Sequence, residues 1–140
     1  MPDTNENRLR IAIGENHADL AESLCVLIDM QVDMRCVGHA ASSSDLLALA
    51  TAESPDLYIL DLSLDDGSSI PMMKLLRERQ PHCAIVAFTG LAEPVVVEQC
   101  LLAGCDSVLT KARPIEELLE TMRDVGARRA VEARRAARTT

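Results

Sequence analysis

Glu15 and Asn16 stand side by side behind a short apolar run, and Asp61, Thr89 and Lys111 each close or follow another such run. Two acids, an amide, a hydroxyl and an ammonium group together suit a hard cation and a small oxyanion. Magnesium takes carboxylate, amide-carbonyl and water oxygens and keeps positions open for phosphate oxygens. Lysine offers the oxyanion a point charge and threonine a neutral donor. Aspartate is also a nucleophile, able to form an acyl phosphate. Taken singly, each residue has a plain explanation: Lys111 is a solvated surface lysine, Thr89-Gly90 a turn, and Asp61 an acid capping a helix. The set gains meaning only if the chain gathers it.

The elements that would gather it follow from apolar patterning. Residues 9–14 read as a strand, and 18–30 carry Leu20, Leu24, Leu27 and Ile28 at helical spacing. Residues 34–40 form a weaker strand, and the polar run 42–45 offers N-caps for a helix to about Ala52. An apolar strand, 57–60, ends at Asp61. A polar loop, 63–69, then leads to Pro71 at the start of a helix that ends near Gln80. Residues 83–88 give a fourth strand, Pro94 opens a helix capped by Gly104, and 107–110 give a fifth strand before Lys111. Pro114 begins a last helix with Ile115, Leu118, Leu119 and Met122 on one face.

Strands alternating with helices predict an α/β fold, an open doubly wound parallel sheet covered on both faces. The inner strands are continuous apolar runs, as burial on both faces requires, and the chain is far too short for an eight-stranded barrel. Ligands of such sheets bind beyond the carboxyl ends of the strands, where strand order reverses. In the order 2-1-3-4-5 the strands ending in Glu15-Asn16, Asp61, Thr89 and Lys111 are neighbours. Asp61 is then the carboxylate at the centre of the sheet and the candidate nucleophile.

The 140 residues are 48% apolar and 26% charged, the composition of one folded domain. The net charge is −8, yet residues 127–140 hold five arginines against one glutamate, so residues 1–126 carry −12. An acidic body repels phosphodiester backbones. With only Tyr58 and Phe88 as aromatics, it also lacks faces on which bases could stack. No apolar stretch approaches the ~20 residues of a membrane span, and residues 1–10 have no signal-peptide core, so a cytoplasmic location is expected. The five cysteines are odd in number and show no C-x-x-C pair. They are read as free, small hydrophobes in a reducing compartment. The methionines at 30, 34, 72, 73 and 122 are assigned to packing, and His17 to the surface near the acidic pair.

Residues 8–125 resemble the receiver domains of two-component response regulators. The motifs are IAIGENHADL, PDLYILDLSLDDG, AIVAFTG and AGCDSVLTKARPIEEL, in that order. The resemblance implies a flavodoxin-like (βα)5 fold in which Asp61 accepts a phosphoryl group from a sensor histidine kinase. Glu15, Asn16 and Asp61 would hold Mg2+ with the Ser63 backbone carbonyl, and Thr89 and Lys111 would contact the phosphoryl group. Such a protein is a switch rather than an enzyme, catalysing only its own phosphoryl transfer and hydrolysis. Its signal would alter the surface of the fourth helix, fifth strand and fifth helix, a surface for homodimerisation. DLSLDDG is similar to the LuxR/NarL-type subgroup, in which DNA is contacted only through an effector following the receiver. The expected division is a disordered 1–7, a receiver over 8–126, and a basic helical extension or linker stub over 127–140.

Three positions depart from the family pattern. Asn16 stands where a second aspartate is usual, which predicts weaker magnesium binding. Val108 stands where a tyrosine or phenylalanine is usual, so no ring can rotate towards Thr89. Ser63 and Leu91 flank the phosphoryl position, and neither can align a hydrolytic water, so a long-lived acyl phosphate is expected. Asn16 and Val108 also admit a second reading, a degenerate receiver that works by protein contact without phosphate. A small aspartate-based phosphatase would need an aspartate at Ser63, and a flavin protein a hydroxyl-rich loop where Glu15, Asn16 and His17 lie.

Overall fold

The computed structural model describes residues 7–139. Apart from Asn7, the stretch expected to be disordered therefore lies outside the described residues. Five parallel strands form the central sheet: β1 (Leu9–Gly14), β2 (Met34–Ala40), β3 (Leu57–Leu60), β6 (Ala84–Thr89) and β7 (Ser107–Thr110). Their order is β2-β1-β3-β6-β7, which is the 2-1-3-4-5 order of the five principal strands. Two further strands of two residues each, β4 (Ser63–Leu64) and β5 (Gly67–Ser68), pair antiparallel as a separate hairpin within the segment read as an irregular polar loop. The polar turn 65–66 and Gly67, with φ of +115°, reverse the chain, and the buried Leu64 pins the hairpin to the body.

Alternate residues of each inner strand face opposite layers. Ile11, Ile13, Leu57, Ile59, Val86 and Phe88 pack under α1 (Ala18–Asp29) and α5 (Ile115–Thr139), which contribute Leu24, Ile28, Leu118 and Met122. Ala12, Tyr58, Leu60, Ile85 and Ala87 pack under α2 (Ser43–Glu53), α3 (Ile70–Arg79) and α4 (Pro94–Leu102), which contribute Leu46, Ala50, Met73, Leu76 and Cys100. Each of β3 and β6 is buried along its whole length, which is why both read as unbroken apolar runs.

Local chemistry sets the helix ends. Ser42 caps α2, its hydroxyl accepting from the Asp45 N–H at 3.1 Å. Gly104 follows α4 with φ of +108°, a conformation that costs a residue with a Cβ. Its carbonyl accepts from Arg77 Nη2 at 2.7 Å. The last helix continues through Gly126 to Thr139 without a break, and Arg129 anchors it to the body through Asp106.

Two readings of the packing change. Met30 caps α1 and is 73% exposed, whereas Met34, Met72, Met73 and Met122 are buried. The cysteines are not all free: Cys25 of α1 and Cys36 of β2 are joined by a disulfide, while Cys83, Cys100 and Cys105 are free and buried. Sequence separation alone does not reveal that a helix and its following strand lie side by side at these two positions.

Candidate functional site

The site lies at the carboxyl ends of β1, β3, β6 and β7. Ladder bonds that continue past the strands fix its backbone. Glu15 N–H donates to Ala40 O at 3.0 Å, Asp61 N–H to Gly14 O at 2.8 Å, and Lys111 N–H to Thr89 O at 2.7 Å. Gly14 leaves room for the Leu60 side chain, since a Cβ at this position would lie 2.9 Å from Leu60 Cδ2. Three polar residues at these ends, Glu15, Asp61 and Thr89, are buried.

Lys111 draws the acids together. Its Nζ donates to Glu15 Oε2 at 2.9 Å and to Asp61 Oδ2 at 3.1 Å. Burial works against the charged form of Lys111, but the hydrogen bonds and charges of Glu15 and Asp61 outweigh it, so its pKa is raised above the ordinary value. The cluster of two carboxylates and one ammonium therefore keeps one negative charge in excess. Asp61 is braced further: Ser69, wholly buried, donates its hydroxyl to the Asp61 carbonyl at 2.6 Å. Ser63 N–H reaches Asp61 Oδ1 only at 3.4 Å, which leaves that oxygen's lone pairs nearly free.

Thr89 sits apart from this triad. Its hydroxyl oxygen accepts from Leu91 N–H at 3.3 Å, so its own hydrogen remains available to a ligand. Asn16 keeps its Oδ1 buried with no hydrogen-bond partner among the described residues, an arrangement that costs free energy unless a ligand supplies the missing interaction. His17, read from the sequence as a nearby surface residue, places Nδ1 3.0 Å from Glu15 Oε1 while its side chain stays 72% exposed. Ligand atoms of Glu15, His17 and Asp61 all lie within 4.8 Å of one another. Two carboxylates and an orphaned amide oxygen are hard oxygen donors, a set that fits Mg2+ better than a soft metal. His17 lies exposed beside Glu15, as its place after the acidic pair implied. Sequence reasoning missed the bracing role of Ser69, which only the return of the chain onto Asp61 makes visible.

The chain is 27% identical over 129 residues to the DNA-binding transcriptional activator DevR/DosR of Mycobacterium tuberculosis, covering 92% of this chain and 59% of that protein. It is 28% identical to the nitrate/nitrite response regulator NarL of Escherichia coli, covering 89% of this chain and 57% of that protein. The chain thus spans little more than half the length of these relatives. In fold it is similar to a LuxR-family two-component response regulator from Aurantimonas sp. SI85-9A1, with a TM-score of 0.81, 22% identity and 86% of each chain covered. It is also similar to a CheY-like receiver domain from Methanospirillum hungatei, with a TM-score of 0.82, 20% identity, and 89% and 98% of the two chains covered. Residues 11–123 match the family model described as the response regulator receiver domain, and the chain belongs to that family.

Proposed function

We propose that the chain is a phosphoacceptor switch that takes a phosphoryl group from a histidine kinase onto Asp61. The observation that carries this reading is the shared ion pair: one ammonium group holds Asp61 and Glu15 at the centre of the sheet's carboxyl edge. Asp61 Oδ1 attacks phosphorus, the P–N bond to the kinase histidine breaks, and the released imidazole takes up a proton. Lys111 turns from the carboxylates towards the new phosphoryl oxygens, and the free hydrogen of the Thr89 hydroxyl donates to another. Glu15, Asp61 and Asn16 would hold Mg2+, with the Ser63 carbonyl as a further oxygen donor. Bound there, the ion neutralises charge on the transferred group. Ser63 and Leu91 flank the site without an acid or amide to orient water, so the acyl phosphate persists.

The output surface is α4, β7 and α5. Leu91, Val95, Leu101 and Leu102 expose apolar side chains on and beside α4, at 50% or more, which supports a partner or a second copy at this face. Movement of Thr89 and Leu91 towards the phosphoryl group would shift the start of α4 directly, because Val108 offers no ring to couple to it. A cytoplasmic location, and DNA contact through an effector such as the DNA-binding relatives have, belong to the same reading. Among the described residues no helix is long and apolar enough to cross a membrane.

A phosphorylation-independent interaction module is the alternative that Asn16 and Val108 favour. Beryllofluoride with Mg2+, a mimic of the phosphoryl group, separates the two. The switch predicts amide NMR shifts at Asp61, Thr89 and Lys111 that extend into α4 and β7. Spectra unchanged by the mimic would instead support the module.

A further inference from the structure

Cys25 lies on α1 and Cys36 on the edge strand β2, and the disulfide between them spans Cα atoms 5.3 Å apart, within the range such bonds require. The switch proposed above uses neither residue. Both are half-buried, so a small reagent can reach them. Their approach does not depend on the sulfur bond alone: Asp29 Oδ1, at the end of α1, accepts from Cys36 N–H at 2.8 Å. This hydrogen bond would hold the two cysteines close after the sulfur bond is reduced. The strand is also irregular here. Ile11 pairs with Cys36 but Ala12 pairs with Gly38, so Val37 is an extra residue in the ladder. A covalent tie would stiffen this irregular edge strand.

The remaining thiols make poor competitors. Cys83, Cys100 and Cys105 are buried, and burial pushes the thiols of Cys83 and Cys105 up to about 11. They carry almost no thiolate near neutral pH, and the thiolate is the reactive form.

We propose that Cys25 and Cys36 are a reversible thiol–disulfide couple, a redox latch between α1 and β2 that closes with a low-molecular-weight disulfide as oxidant. One cysteine thiolate attacks the oxidant, whose S–S bond breaks to leave a mixed disulfide and one small thiol. The second thiolate attacks the protein sulfur of that mixed disulfide, forming the Cys25–Cys36 bond and releasing the second small thiol. Two protein thiols lose two electrons and two protons, and one small disulfide becomes two thiols. In a reducing cytoplasm the latch stands open and an oxidising shift closes it. The latch lies on strand β2 and the body of α1, away from Asp61 and Lys111, so it stands or falls separately from phosphorylation.

The test equilibrates the full chain in glutathione buffers from reducing to oxidising, quenches with acid, blocks free thiols in denaturant so that the buried cysteines are labelled too, and digests with trypsin. Cys25 falls on the peptide 11–35, Cys36 on 36–74, and the other three cysteines on 80–111. The latch predicts five blocked thiols in reducing buffer and three in oxidising buffer, with 11–35 joined to 36–74 and the link reversed by dithiothreitol. It also predicts a Tm higher by roughly 5–10 °C in the oxidised wild type. C25S and C36S should show the same Tm in both buffers. The wild type compared with and without dithiothreitol carries the test even if a variant folds poorly. Five thiols in every buffer, a glutathione adduct that never resolves, a bridge within 80–111, or an unchanged Tm in the linked protein would each overturn it.

Discussion

One ammonium group, that of Lys111, serves two buried carboxylates, and this sharing makes the site sensitive to single substitutions. Because the Lys111 pKa is raised, its contribution to stability is fully present below the unfolded value of 10.5 and is lost only as pH rises through the higher folded value. Stability from this group should therefore be level across neutral pH and fall on the alkaline side. Lys111→Met leaves Glu15 and Asp61 opposed, Asp61 without a cation and Glu15 with only the exposed His17 beside it. With 23% of the Lys111 side chain exposed, the expected cost at pH 7 is about 2–3 kcal/mol, below that of a fully buried pair. Urea denaturation of both proteins against pH would show this as a lower neutral plateau without the alkaline fall. Equal stability at pH 7 would contradict it. Asn16→Asp adds a formal charge to the oxygen donors and should tighten Mg2+ binding about tenfold, read by calorimetry; affinity no tighter than wild type would count against Asn16 as a ligand. Asp61, Glu15, Thr89 and Lys111 were legible in the sequence because each terminates an apolar run. Ser69 was not, since its role depends on the chain folding back onto Asp61.

At the scale of elements, Asp106 ties three pieces together ahead of β7. Its carboxylate accepts from Arg77 of α3 at 3.1 Å, from Arg129 of α5 at 2.6 Å, and from the Ile85 N–H of β6 at 2.8 Å. Asp106→Ala strands the Ile85 N–H and takes the shared carboxylate from Arg77 and Arg129. Arg77 keeps the Gly104, Pro81 and Cys83 carbonyls and Arg129 keeps Glu132, so the expected loss is about 3 kcal/mol. Arg129→Ala removes only the tie to α5 and should cost less, about 1 kcal/mol. Hydrogen exchange should then quicken over residues 130–139 in both variants, and unchanged protection there would refute the anchoring role. The main strands and helices were legible because burial on both faces of a parallel sheet imposes uninterrupted apolar runs between capping residues and prolines. The β4–β5 hairpin was hidden in a polar loop, as two-residue strands carry no periodicity. The disulfide was hidden because α1 and β2 meet at Cys25 and Cys36 only in three dimensions.

At the scale of the molecule, the acidic body and the basic end of α5 divide the charge between a sheet domain and a helix that continues past it. The chain matches little more than half of its DevR/DosR and NarL relatives, and the exposed apolar side chains of α4 lie on the proposed output face. Every part of the switch depends on chemistry at one carboxylate. The direct measurement is intact mass after incubation with acetyl phosphate and Mg2+, for the wild type and for Asp61→Asn, followed over time after the donor is removed. The wild type should gain one phosphoryl group, only with Mg2+, and hold it for minutes or longer, while Asp61→Asn gains none. An unmodified wild type, or a variant modified to the same extent, would contradict the assignment of Asp61.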